Sequence, residues 1–437
     1  RVGSSPGAGV SSLFIAGFNL GSVVGTPSMT VRGDILADAS VSGSGARFAT
    51  YDFARGLRPL LDGETVSTLA SAPAATSTHL RSGSAQTFVV NTAGTATLES
   101  GGRLAGFTGS SQLTLSSGGL LALPGNAGVG RGLITSGGNT MFIHAVGDLA
   151  WDATVINSTA GVVKSGPGTW TISQPQYITG GTAGWAFNQG TTVFANTAGS
   201  VIPVVPTATI PTLQNITLNG GVLDLNGRDQ LVGTFNSPSN YVGGTLTNSN
   251  AGQLSRFASV GATTFGGTLS GNVEFQRAGN STTTTFATPQ TYTGATVVRD
   301  GTLALRQQGA LTQTSAVQVF GGTLQFDNSG FYGMGDRLPD TVPISARLGT
   351  LLLTGGYGLA SSESVGAVTL SGGEVTVNAT AGSNGTVALS LGSLSRNLGG
   401  TVNFTAANAA AALGQSGPGS SRVLIGGAVL SSGILGG

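Results

Sequence analysis

The sequence predicts an all-β protein, a parallel β-helix (β-solenoid) with irregular loops, and three observations carry that reading. The first is a recurring phrase in which a glycine turn feeds a short strand. It is plainest at Val319-Phe320-Gly321-Gly322-Thr323-Leu324-Gln325-Phe326-Asp327-Asn328. Leu324 and Phe326 fall on one face and Thr323 and Gln325 on the other, the period of two expected of a half-buried strand. The phrase returns at Gly118-Gly119-Leu120-Leu121, Gly220-Gly221-Val222-Leu223, Gly243-Gly244-Thr245-Leu246, Gly266-Gly267-Thr268-Leu269, Gly301-Thr302-Leu303, Gly372-Gly373-Glu374-Val375 and Gly399-Gly400-Thr401-Val402. The second observation is its spacing. Gly221, Gly244 and Gly267 follow one another at 23 residues, Gly301 and Gly322 at 21, Gly373 and Gly400 at 27. A period in this range marks one structural unit stacked many times, because a single short strand cannot bury its own face and a stack can. The third is composition. Glycine supplies 74 of 437 residues, interleaved with Val, Leu, Ile and Phe at strand spacing, which separates this chain from a disordered one.

The same composition narrows function. Charged residues make up 8 % of the chain, against about 25 % in an ordinary globular domain. The net charge of +1 provides no basic field for nucleic acid or anionic lipid. Lys164 is the only lysine, so the surface must be covered by Thr, Ser, Asn, Gln and Gly. Without cysteine there is neither a disulfide framework nor a thiolate metal site. No stretch reads as a membrane-spanning helix, and the most apolar segment, Val423 to Gly437, is broken by glycines and serines.

Taken in order, residues 1–60 form an irregular β segment leading into the solenoid. Strands are expected at Ser11 to Phe18, Met29 to Arg32 and Phe48 to Phe53. Residues 61–200 read as β-solenoid. Residues 201–215, with Pro203, Pro206 and Pro211, are a connection that leaves the sheet, because proline lacks the N–H a ladder needs. Solenoid resumes over 216–330. Residues 331–347 are expected as a protruding, solvated loop rich in glycine and proline, and 348–437 as solenoid continuing into a further segment. Ala406 to Leu413 alone has the pattern for a turn or two of helix.

Two stretches resemble the autotransporter-associated β-strand repeat of large exported bacterial surface proteins. One runs Lys164-Ser165-Gly166-Pro167-Gly168-Thr169-Trp170-Thr171-Ile172-Ser173, followed by Tyr177-Ile178-Thr179-Gly180-Gly181-Thr182. The other is Thr291-Tyr292-Thr293-Gly294-Ala295-Thr296-Val297-Val298 with Asp300-Gly301-Thr302-Leu303-Ala304-Leu305. Trp170 stands where the family favours Leu, and the extra Ala183-Gly184-Trp185 suggests a locally widened coil. The resemblance covers about 160–437 and implies a β-helix passenger-like region at the cell surface or outside the cell. The family's translocating membrane barrel is not in this chain.

Chemistry-bearing residues are sparse. His144, Asp148 and Asp152 share a strand parity from which a Ser-His-Asp arrangement could be drawn, against the plainer reading of a rung residue and a turn. The 17 carboxylates are scattered, with Asp336 and Asp340 near Arg337 their closest approach to a cluster. Arg32-Gly33-Asp34 is an adhesion-type tripeptide. Trp151, Trp170 and Trp185 could stack on sugar rings if exposed, or fill wide places in the core. No catalytic site, cofactor or metal is expected. The expected function is therefore structural: an inert shaft of an extracellular bacterial fibre, sheath or surface layer. Apolar ends without polar caps lead to an expectation of head-to-tail self-assembly. The alternative is an adhesin passenger binding a glycan or cell surface through loops 331–343 or the tryptophans. A polysaccharide lyase or hydrolase is a more distant third.

Overall fold

The computed structural model describes residues 2–4, 11–13, 29, 31–42, 45–52, 55–69, 78–157, 160–178, 184–196, 202, 205–206, 211–279, 281–330, 332–407, 411–428, 430–431 and 434–435. Strands take up 53 % of the chain and helix 1 %, and parallel stacked sheets form a β-solenoid of about 13 turns. The chain divides into two compact units, 1–214 and 215–437. Among the described residues no helix is long and apolar enough to cross a membrane.

In the first unit the strands Gln112–Ala122, Met141–Ala145, Val162–Ser165 and Gly184–Phe187 stack in parallel. Leu120 pairs with Ile143, Ile143 with Lys164, and Lys164 with Phe187, so a lysine occupies one step of an otherwise apolar column. A second sheet stacks Leu149–Trp151, Thr169–Ile172 and Thr191–Phe194. The coil step is 21 residues from Met141 to Val162 and 23 from Val162 to Trp185, so the coil carrying Ala183-Gly184-Trp185 is two residues longer than its predecessor.

The second unit repeats the plan with the registers expected of the glycine phrases. Leu223, Leu246 and Leu269 pair in line, 23 residues apart. Leu303, Leu324 and Leu351 form another column, with Leu305, Phe326 and Leu353 beside it. Leu303, Leu305, Leu324 and Phe326 are all fully buried, as their alternation requires. Gly373 pairs with Gly400 across the 27-residue step. Aromatic side chains fill the wide part of this core: Phe235 lies 5.2 Å from Phe257, 4.9 Å from Phe265 and 5.7 Å from Phe275, measured between ring centroids.

Before the solenoid, Leu36–Asp38, Ala46–Asp52 and Gly56–Pro59 form an antiparallel meander. Met29, Val31, Phe48 and Leu60 pack with Leu121 of the coil, so this segment lies on the solenoid rather than within it. Several local expectations need correction. Met29, Val31 and Arg32 are buried or half-buried but not in a strand. Of Ser11 to Phe18 only Ser11–Leu13 is described, as a strand antiparallel to Val2–Ser4; Phe53 lies outside the described residues. Residues 408–410 also lie outside them, and Ala406, Ala407 and 411–413 are not helical. In the 201–215 connection Val205–Pro206 pairs antiparallel with Pro211–Thr212. The loop expected over 331–347 ends early, because Ile344–Arg347 is a coil strand.

Candidate functional site

Trp151, Trp170 and Trp185 are 1 %, 0 % and 1 % exposed, which removes them as a sugar-stacking platform. The reason is register. Trp151 pairs with Ile172 and Leu149 with Trp170, so the indoles share the inward parity of the apolar column. Trp151 meets Trp170 edge-on at 5.6 Å and Trp170 stacks on Trp185 at 6.1 Å. They pack on one another inside the coil.

The loop cluster also differs from expectation. Asp336 and Asp340 are exposed, but Arg337 is completely buried, as are Leu338 and nearly all of Val342. The Arg337 guanidinium donates to Asn328 Oδ1 at 2.6 Å, to the Gly309 carbonyl at 2.6 Å and to the Asp327 carbonyl at 3.2 Å. Behind it, the buried Glu363 carboxylate accepts from the backbone N–H of Arg337 at 2.9 Å and of Leu338 at 3.0 Å. Burial pushes the Glu363 carboxyl up to about 7, against the pull of those two N–H donors. The loop is thus docked through the Arg337 guanidinium and the Glu363 carboxyl rather than solvated, and the three residues form no acidic binding cluster.

His144 does not meet Asp148 and Asp152. Its Nε2–H donates to the Gly33 carbonyl at 2.7 Å, and its Nδ1 accepts from the Ser165 hydroxyl at 2.6 Å. Asp148 accepts from the Thr169 N–H and Asp152 from the Gln174 amide. His79 plays the same part, accepting from Thr95 at 2.9 Å on Nδ1 and donating to the Met29 carbonyl from Nε2. Desolvation lowers both imidazoles, His79 to about 4, so each is a neutral tether. Both histidines of the chain therefore hold the segment around residues 29–33 on the coil. The Arg32-Gly33-Asp34 tripeptide is part of that joint. Arg32 chelates Asp34 through two bonds of 2.9 and 2.8 Å, and a Cβ on Gly33 would lie 2.1 Å from the Ser117 carbonyl. Its two charges pair with each other at 2.8 Å.

The residues that sequence reasoning passed over are buried cations. Lys164, 1 % exposed, gives its three protons to the carbonyls of Gly166, Gly168 and Gln189 at 2.6, 2.7 and 2.7 Å. Desolvation lowers its ammonium to about 8, with Asp148 opposing. A Cβ on Gly190 would lie 2.4 Å from Nζ, so the next coil must present glycine there. Arg277, also fully buried, donates to the carbonyls of Ser259, Ala278 and Thr282 at 3.0, 3.0 and 2.7 Å. A coil corner turns backbone carbonyls inward, and each must find a donor. The signal for Lys164 was present: a lone lysine two and four residues ahead of turn glycines.

Two of the surface grooves are bordered by arginines. In the first unit Arg103, Arg131, Asp152 and the exposed Phe107 border a trench of ≈ 610 Å³ floored by Ala85, Ala105 and Gly106. In the second, Arg299, Phe320, Gly321, Arg347 and Leu348 line a groove of ≈ 360 Å³. Among the described residues no three His, Asp or Glu side chains gather closely enough to hold a metal ion. Compared with known protein families, with curated proteins and with solved structures, the chain matches none.

Proposed function

We propose that the chain is a structural protein, a β-solenoid shaft in an extracellular bacterial fibre, sheath or surface layer, which assembles with copies of itself. The observation that carries this reading is where the few charges go. Lys164, Arg277 and Arg337 are turned inward to satisfy corner and loop carbonyls. Arg58 and Glu64 form a buried bidentate pair at 2.7 Å. What faces outward includes Thr, Ser and Gln in ladders, such as Gln318, Ser345, Thr369 and Ser395 on successive coils. Charge spent on holding turns rather than on a cleft suits a scaffold. A surface with net charge near zero also opposes self-association weakly. The likeness of the phrases at 164–173 and 291–305 to repeats of exported surface proteins supports a place outside the cell. The test is electron microscopy of the purified chain together with light scattering across concentration. Elongated assemblies whose mass grows with concentration and persists in high salt are expected. A fixed monomer mass throughout would overturn the reading.

A further inference from the structure

The groove lined by Arg299 and Arg347 is built on three successive coils. Val298 pairs with Val319 and Val319 with Ala346 on the inward parity. The next residues along those coils are Arg299, Phe320 and Arg347, with Phe320 and Arg347 themselves paired. They lie at the outer face, the arginines exposed and the phenyl half-buried. Arg47, Arg58, Arg81, Arg256 and Arg306 pair with carboxylates. Among the described residues neither Arg299 nor Arg347 does. The Arg299 guanidinium has only the Gln276 amide oxygen, at 3.3 Å, and the Arg347 guanidinium has no hydrogen-bond partner. Beside them Leu348 is 61 % exposed, with a φ of 52° that a residue bearing a branched side chain rarely adopts. Its side chain lies across Gly373, where a Cβ would come within 2.4 Å of it. The chain thus holds an apolar side chain at the groove in a conformation that disfavours it, a pattern associated with binding sites.

We infer that this groove binds an acidic polysaccharide, its sugars running along the direction in which the coils stack. The two guanidinia are separated by two strand spacings, roughly 9–10 Å, with a phenyl face between them. A chain of linked pyranoses advances by about one strand spacing per sugar, so alternate acidic sugars meet the two arginines. The ring between them lies on Phe320 and against Leu348. Guanidinium forks suit carboxylate and sulfate groups alike. An extended acidic peptide fits worse, since its same-face side chains fall about 6.6 or 13 Å apart. The exposed carboxylate of Glu374 follows Gly373 along the chain and is not among the residues that line the groove. This inference rests on the groove's own residues and stands whether or not the chain is a scaffold.

The test is calorimetric titration of the whole chain with polygalacturonate, heparin, uncharged dextran and poly-L-glutamate. One or both acidic polysaccharides are expected to bind, more weakly as salt rises, and the better of the two identifies the anion. Dextran should not bind, and poly-L-glutamate should bind much more weakly. Arg299→Gln with Arg347→Gln should reduce affinity about tenfold or more while leaving the melting curve in place. Leu348→Gly should raise the melting temperature and still weaken binding, a combination that damage to the fold does not produce. Failure of both acidic polysaccharides to bind, undiminished binding by the double variant, or equal binding of poly-L-glutamate would overturn the inference.

Discussion

Two appended segments lie against the solenoid, and they are fastened by opposite chemistry. In the first unit, Met29 and Gly33 are tied down by His79 and His144, bases that burial keeps neutral. In the second, the loop around Arg337 is tied down by Glu363, an acid that burial pushes up to about 7. Both devices cap backbone groups that a coil cannot cap for itself. They differ in which protonation state the fold favours, so the segments should respond to pH in opposite senses. For His79 the unfolded chain binds more protons between pH 6.5 and about 4, so that joint is secure above 6.5 and weakens as pH falls through this window. For Glu363 the folded chain binds more protons between 4.5 and about 7, so that joint is firmest below 4.5 and weakens as pH rises toward 7.

The largest effect tests whether the Arg337 loop is docked or merely covers the coil. Arg337→Ala should cost about 3–5 kcal/mol, because it strands the buried Asn328 side chain and the Gly309 and Asp327 carbonyls and leaves Glu363 without its nearest positive charge. Urea unfolding measures this, and a cost below about 1 kcal/mol would return the loop to the solvated class. The companion core variant, Phe326→Ala, should cost a similar 3–5 kcal/mol by leaving a cavity in the Leu305–Phe326–Leu353 column.

The pH contrast comes next. The shift at His79 corresponds to about 3 kcal/mol, and hydrogen exchange normalised for intrinsic rate should show it. Protection at the Ala49 amide, bonded to the Ile35 carbonyl, should fall as pH drops from 6.5 to 4. Protection at Leu338 should rise over the same descent. Glu363→Gln should abolish the second trend and leave the first. Parallel trends at both sites would mean that global unfolding, not the two joints, governs exchange. The smallest effect is the control. Asp336→Asn removes an exposed negative charge beside the buried arginine, keeps a side chain that tolerates the φ of 56° there, and should change stability by less than about 0.5 kcal/mol.

Much of the coil was legible along the chain because the information is local and periodic. Alternation assigns Leu324 and Phe326 to the inside, and equal spacing of Gly221, Gly244 and Gly267 sets the step between coils. Each coil's neighbour is its own near copy, so one phrase specifies strand, register and core together. The candidate sites were less legible. Composition made the tryptophans equally suitable for a sugar platform or a wide core, and only the parity shared by Trp170 and Leu149 decides between them. Arg337 sits among glycines, prolines and aspartates that all signal solvent, yet its guanidinium reaches 28 residues back to Gly309.

Period, strand parity and a surface poor in charge thus follow from residue order, because each depends on neighbours a few positions or one coil away. The placement of charge does not. Whether a lysine or arginine faces water or satisfies a carbonyl depends on which corners the stacked coils bring within reach. His144 meets Gly33 across 111 positions, and no local pattern encodes that approach. Desolvation at such a meeting point sets the protonation state, and desolvation exists only once the coils have closed around the group.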